Sequence, residues 1–187
     1  MTQQTEQSAP ESTDAQEKTS RWKGWAKEIG IVLVVFVAIS AFQTRKHVGS
    51  GEAAPAFSHG TLSGERVSLA SLEGKPTAIV FWAPWCGVCK QEAGTISEVR
   101  DAVGEDANVV SMALSYDSQL GVEAFVEEWG VDYPVILGSE RTRAAYKVEA
   151  FPTIYVLDGN GRVRHTMVGY TPGFGLRARL WWVGLWS

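Results

Sequence analysis

Among 187 residues only two are cysteines, and they stand three positions apart in Trp85-Cys86-Gly87-Val88-Cys89-Lys90. On a helix that spacing turns both side chains to one face, close enough to bridge. An uncharged run precedes the pair and a helical pattern follows it, so the motif falls at a strand-to-helix turn. A cysteine there meets free backbone N–H groups and the positive end of the helix dipole, which stabilise a thiolate. The expectation is an asymmetric pair, with Cys86 an exposed nucleophile and Cys89, one turn inside, the resolving thiol. Thiolate attack on a disulfide gives a mixed disulfide that the second thiol then breaks. Other uses of the pair fit less well. Haem attachment needs histidine at position 90, which is Lys90; zinc needs a second ligand pair, and His47, His59 and His165 are scattered without metal spacing. A structural bridge across two residues closes too small a loop to restrict the unfolded chain much. No cofactor is therefore expected beyond the Cys86–Cys89 couple, and no metal.

The elements that must position this pair are legible from periodicity. Residues 77–82 form a continuous apolar run, as in a strand buried on both faces. Residues 86–103 carry Ile96, Val99 and Val103 at helical spacing. There follow a strand over 108–115, a helix over 120–129, a short strand over 133–137 and one or two helical turns over 141–146. Two strands, 153–157 and 163–168, flank Asp158-Gly159-Asn160-Gly161, a strong hairpin signal. Ahead of all these, Ser63-Gly64-Glu65 splits residues 61–69 into a small hairpin. The last helix, over 176–183, is required to cover a sheet face. Trp181, Trp182 and Trp186, beside Arg177 and Arg179, also suit a helix lying in a membrane interface, the less favoured of the two readings. The order predicts an α/β fold: a mixed central sheet flanked by helices, with an N-terminal β-hairpin.

Composition divides what lies upstream. Acidic residues outnumber basic ones 21 to 17, a net charge of -4 that excludes the basic footprint of a nucleic-acid binder. Residues 1–20 are polar and lack aromatics, reading as a disordered tail. Residues 21–46 read as a membrane anchor with basic flanks. Its run 29–42 is uncharged, and at 1.5 Å per residue spans roughly 21 Å of a roughly 30 Å hydrocarbon core. Snorkelling Lys27, Arg45 and Lys46 and interfacial Trp22 and Trp25 make up the difference. A cleaved signal peptide and a buried core helix are the competing readings. Basic residues Lys18, Arg21, Lys23 and Lys27 before the run, against Arg45 and Lys46 after it, place the N-terminus in the cytoplasm and the remainder outside. Residues 47–60, rich in Gly, Ala, Ser and Pro, read as a linker, leaving 61–187 as the catalytic domain.

The stretch Phe81-Trp82-Ala83-Pro84-Trp85-Cys86-Gly87-Val88-Cys89-Lys90, followed by Ala150-Phe151-Pro152-Thr153 and the Asp158-Gly159-Asn160-Gly161 turn, resembles the thioredoxin superfamily. With its N-terminal anchor the chain is similar to the membrane-tethered, TlpA-like and cytochrome c maturation thiol-disulfide oxidoreductases of bacteria. Its ending, Gly175-Leu176-Arg177-Ala178-Arg179-Leu180-Trp181, is similar to proteins named for suppression of copper sensitivity, subgroup D. The resemblance implies a thioredoxin-like fold and a cis-proline at Pro152 facing the cysteines. It also implies supporting roles for Trp85 and Phe151 at the substrate surface, and a link between Glu92 and thiol proton handling. For Glu92 a solvated helix carboxylate is the equal alternative. The chain departs from thioredoxins proper in carrying Val80 where those have a buried aspartate, and Gly94 where they have a helix-kinking proline.

These readings imply a single-pass bacterial inner-membrane protein with its catalytic domain in the periplasm. It would reduce disulfides of exported proteins and draw electrons from a membrane donor, or pass them to an acceptor. Disulfide formation or isomerisation on the same scaffold, and Cu(I) binding by the two thiols, are the alternatives.

Overall fold

The computed structural model describes residues 47–186. The tail 1–20 and the anchor segment 21–46 lie outside the described residues. Among the described residues no helix is long and apolar enough to cross a membrane.

The run read as a doubly buried strand is one: β3, Thr77–Trp82, is buried at all six positions. Its side chains alternate between two cores, Ala78, Val80 and Trp82 on one face, Ile79 and Phe81 on the other. Around it lie β4 (Asn108–Ala113) and β5 (Val135–Leu137) on one side, both parallel. On the other lie β6 (Thr153–Leu157) and β7 (Val163–Val168), both antiparallel to their neighbours. The order is β5-β4-β3-β6-β7, the mixed sheet expected. The first face is covered by α1 (Gly87–Val103), α2 (Gln119–Trp129) and α4 (Gly173–Gly184), through residues such as Ile96, Val99, Phe125, Leu176 and Leu180. The second face packs against Tyr146, which closes α3 (Glu140–Ala145), and against Val48, Ala54 and Phe57. The expected small hairpin is present as β1 (Ser58–Gly60) and β2 (Arg66–Ser68).

Two boundaries differ from expectation for local reasons. The strand predicted over 108–115 stops at Ala113 because Ser115 takes φ 50°, a left-handed conformation no strand continues. The last helix begins three residues early, at Gly173, just after Pro172, whose carbonyl accepts from Gly175 N and Leu176 N.

A larger difference lies upstream. Residues 47–60, read as a linker, belong to the folded unit. Gly51 N donates to the Val163 carbonyl and Ala54 N to that of Gly161, and Ala53 bridges Arg162 at the free edge of β7. Further along, Leu62 N donates to Val135 and Thr61 bridges Ile136, at the free edge of β5. One strap therefore crosses the second face and reaches both edges of the sheet, at the start of β7 and along β5. Small residues suggested flexibility, but Val48 and Phe57 bury their side chains and the backbone finds partners at Gly161 to Val163, where the turn enters β7.

Candidate active site

The two cysteines emerge where β3 ends. Cys86 caps α1: its backbone is extended, and Cys89 N donates to Cys86 Sγ at 3.1 Å. The two are joined by a disulfide, with Cα atoms 5.3 Å apart. The expected pairing at a helix start is therefore present, but the expected exposure is not. Cys86 is only 5% accessible and Cys89 4%. As N-cap, Cys86 holds its sulfur over the first helical turn, where it accepts the Cys89 N–H. What is exposed is its surroundings: Trp85 and Val88 stand out on the surface.

Trp85 is fixed at both ends of its ring. The indole Nε1–H donates to the Ser115 carbonyl at 2.9 Å, and the ring meets Phe151 edge-on at 5.5 Å. Phe151 is half-buried and Pro152 buried, and the bond between them is cis, as the resemblance implies. The Pro152 carbonyl accepts from Gly169 N at 2.8 Å. Trp85, next to Cys86, thus meets Phe151 and its cis-bonded Pro152 from a segment some sixty-five residues away in sequence.

Glu92 departs furthest from its bland reading. It is 2% accessible, not a solvated helix carboxylate. Burial pushes its carboxyl up to about 7, and a hydrogen bond from Thr171 N to Oε1, 2.7 Å, offsets only part of that cost. The carboxyl shares a small cavity of about 10 Å³ with Val80, Trp82, Cys89 and Tyr133. That space is at the lower limit for a single water. The Trp82 indole N–H is buried there without a partner. Tyr133 is held well above the usual phenol range by burial first and by the charge of Glu92 next. Val80 leaves the strand side of this cavity apolar, and α1 supplies the carboxyl instead.

Trp82, Tyr133 and Thr171 are site residues that sequence reasoning missed. Trp82 enters the sequence reading only as the end of a strand and a member of the motif that carries the resemblance, with no role of its own, and no local pattern ties Tyr133 or Thr171 to a thiol 44 or 82 residues away. The loop carrying Thr171 is pinned twice, at Gly169 to Pro152 and at Thr171 to Glu92, and between the pins Tyr170 projects into solvent. Lys90 points elsewhere, its Nζ 5.4 Å from the centre of the Trp129 ring. Among the described residues no cluster of three or more metal-ligating side chains occurs.

Comparison with known proteins agrees with this geometry. Residues 50–166 match the model of the AhpC/TSA family. The chain belongs to that family. The match begins at residue 50, in the strap rather than after it, as the pairing on β7 requires. Within the family's thioredoxin-like fold, the chain is similar to the thioredoxin-like protein YneN of Bacillus subtilis, with 32% identity over 79% of this chain and 91% of that one. It is also similar to the thiol-disulfide oxidoreductase ResA of the same organism, with 28% identity over 75% and 82%. Among solved structures it resembles a thiol:disulfide interchange protein of the thioredoxin family from Chlorobium tepidum, with TM-score 0.65, 25% identity, and coverage of 72% of this chain and 97% of that one. The protein is an enzyme, a thiol-disulfide oxidoreductase.

Proposed function

We propose that the protein reduces disulfides in exported proteins from the periplasmic face of the bacterial inner membrane, held there by residues 29–42. The observation that carries the reducing direction is Glu92 buried beside Cys89. A carboxylate sharing a cavity with a thiol disfavours the thiolate, so it weakens the reduced form and favours the disulfide, which makes the dithiol the better electron donor. The absence of histidine between Cys86 and Cys89 works the same way, since nothing there stabilises a thiolate strongly.

In the reduced enzyme, Cys86 accepts the Cys89 N–H and lies at the helix start, so it is the thiol that ionises first. Its thiolate attacks a substrate sulfur, forming the Cys86–substrate disulfide and expelling the other substrate sulfur as a thiolate that takes up a proton. Glu92 then takes the Cys89 proton through the shared cavity. The Cys89 thiolate attacks Cys86 Sγ, the mixed disulfide breaks, and the second substrate sulfur leaves, taking up a proton. Two electrons and two protons have passed to the substrate, and Cys86–Cys89 is oxidised. Trp85, Phe151 and Pro152 form the wall along which an extended substrate segment reaches the buried Cys86 sulfur. A membrane electron donor restores the dithiol, there being no third cysteine in the chain.

The reduction potential of the Cys86–Cys89 couple tests the direction. A value near that of thioredoxin, about −270 mV, is expected; one near −120 mV, as in strong oxidants, would assign disulfide formation instead. Membrane placement is tested by alkaline extraction of membranes and by protease access to the domain from the periplasmic side. The finer assignment, to the subgroup named for suppression of copper sensitivity, rests on the ending 175–181. It predicts that loss of the protein sensitises cells to copper.

A further inference from the structure

Helix α4 does two things at once. Leu176, Leu180 and Val183 bury themselves against the sheet, so the helix covers its face as the fold requires. Much of its remaining surface is large and apolar: Phe174, Trp181 and Trp182 and, just past the helix, Leu185 and Trp186 are each more than half exposed; Arg177 and Arg179 lie among them. Phe174, Trp181 and Leu185 follow one another at helical spacing and line a groove of about 750 Å³. Lys75 and Arg177 line it too, with Asp106 the acidic residue among them. The patch has a definite place on the domain. Gly184 lies against Pro76, so close that a Cβ there would sit 3.3 Å from its ring. Pro76 leads into the first residue of β3, whereas the disulfide follows the last. Six residues of strand, about 20 Å, separate the aromatic pole from the active-site pole.

We infer that this aromatic pole seats in the headgroup region of an anionic bilayer, so that the domain rests on the membrane with its disulfide facing away. The inference rests on the reading of residues 29–42 as an anchor. Five residues, Gln43 to His47, separate that run from Val48, the first side chain buried in the domain. Fully extended they and the flanking bonds span roughly 20 Å, less than the width of the domain, so the domain is held against whatever surface the anchor enters. Indole rings with basic neighbours are what a headgroup layer receives best: the ring buries its apolar body, the N–H stays wet, and Arg or Lys meets phosphate. A soluble protein has no use for five exposed large apolar side chains in one pole, and patches of this kind mark contact surfaces.

The test uses the full chain in vesicles of phosphatidylcholine and phosphatidylglycerol, with bromine on the acyl chains, in a W22F/W25F background so that no indole near the anchor reports. Remaining indoles are Trp82, Trp85, Trp129 and the three of the aromatic pole. Bromolipid should lower total emission by about a third or more. It should leave W181S/W182S/W186S, in the same background, within a few per cent of its emission without bromine. Turnover on a soluble disulfide should be equal in the two, which shows that both are folded. Equal emission with and without bromine in the parent overturns the inference. Alkaline extraction of the same vesicles reads the anchor separately. Chain retained but unquenched removes the aromatic pole and keeps the anchor; chain extracted at alkaline pH but quenched at neutral pH removes the anchor and keeps the pole. A chain that never binds the vesicles removes both.

Discussion

Two carboxyl groups are almost equally hidden from solvent in this domain and have opposite fates. Asp158, 3% accessible, opens the β6–β7 turn; Glu92, 2% accessible, lies under the disulfide. Burial pushes both carboxyls up. For Asp158 the cost is more than met: Oδ1 accepts from Asn160 N and Arg162 N at 2.9 Å each, and Oδ2 from Arg164 Nε at 2.8 Å. Its carboxyl therefore sits below the usual carboxylate range. Glu92 has one backbone donor, from Thr171, and stays near 7. Low solvent exposure alone says little about a buried acid. What separates a structural carboxylate from one that exchanges a proton near neutral pH is how many donors the fold aims at it and how thickly the chain covers it.

The largest effect available is at the thiols themselves. Cys86→Ser should abolish turnover while Cys89→Ser accumulates mixed disulfides visible on non-reducing gels; full activity in Cys86→Ser would remove the chemistry to which Glu92 is assigned. The carboxyl contrast is then tested by stability. Asp158→Ala should lower unfolding free energy by about 3 kcal/mol at pH 7, since it strands two backbone donors and an arginine. Because its carboxyl is depressed, the contribution it makes is present above its ordinary value of 3.8 and is lost as pH falls through the lower folded value. Denaturant melts of wild type and variant should converge in strong acid.

Glu92→Gln should move the other way. A raised carboxyl makes the folded state lose stability as pH climbs from 4.5 towards 7, and level off above. The oxidised variant should match wild type near pH 4 and exceed it at pH 8, by up to roughly 3 kcal/mol for a shift of about 2.5 units. Its turnover should also lose the inflection near pH 7. A variant no more stable than wild type at pH 8 would place Glu92 in the same class as Asp158. The smallest effect should come from Trp85→Ala, which keeps the thiols and strips one wall of the approach. KM for protein disulfides should rise about tenfold, some 1.4 kcal/mol, with little change in turnover of a small disulfide.

Much of this contrast was legible in advance, and the reason it was not fully read is instructive. The β6–β7 turn announces itself in Asp158-Gly159-Asn160-Gly161, because a tight hairpin needs Gly161 at φ 70° and an aspartate that bonds its own turn. The cysteine pair and β3 are equally local, and their boundaries agree with expectation to a residue. Glu92 reads as polar when taken singly, yet Cys89, Glu92, Ala93, Ile96 and Val99 all fall on the buried face of α1. Helical phase pointed inward even though residue type pointed outward. The strap at 48–57 was less accessible to reading. Its partners on the sheet are 107 to 114 residues away, and pairing at a sheet edge leaves no periodic trace in five or six small residues. On α4 it is Leu176, Leu180 and Val183 that cover the sheet while Trp181, Trp182 and Trp186 stay exposed, so the need to cover a sheet face does not by itself account for the tryptophans.

The strap has one more consequence, for how the protein behaves among copies of itself. An unpaired sheet edge is a template on which another chain can add a strand. Here residues 51–54 pair at the start of one edge, at Gly161 to Val163, and residues 61–62 along the other, at Val135 and Ile136. A chain cut at residue 61, where composition alone would start the domain, keeps its disulfide, Glu92 and all five strands of the central sheet. It also bares the start of β7 and thins the cover of β5. Such a fragment should self-associate as its concentration rises, and its light scattering would expose a liability that the intact strap keeps hidden.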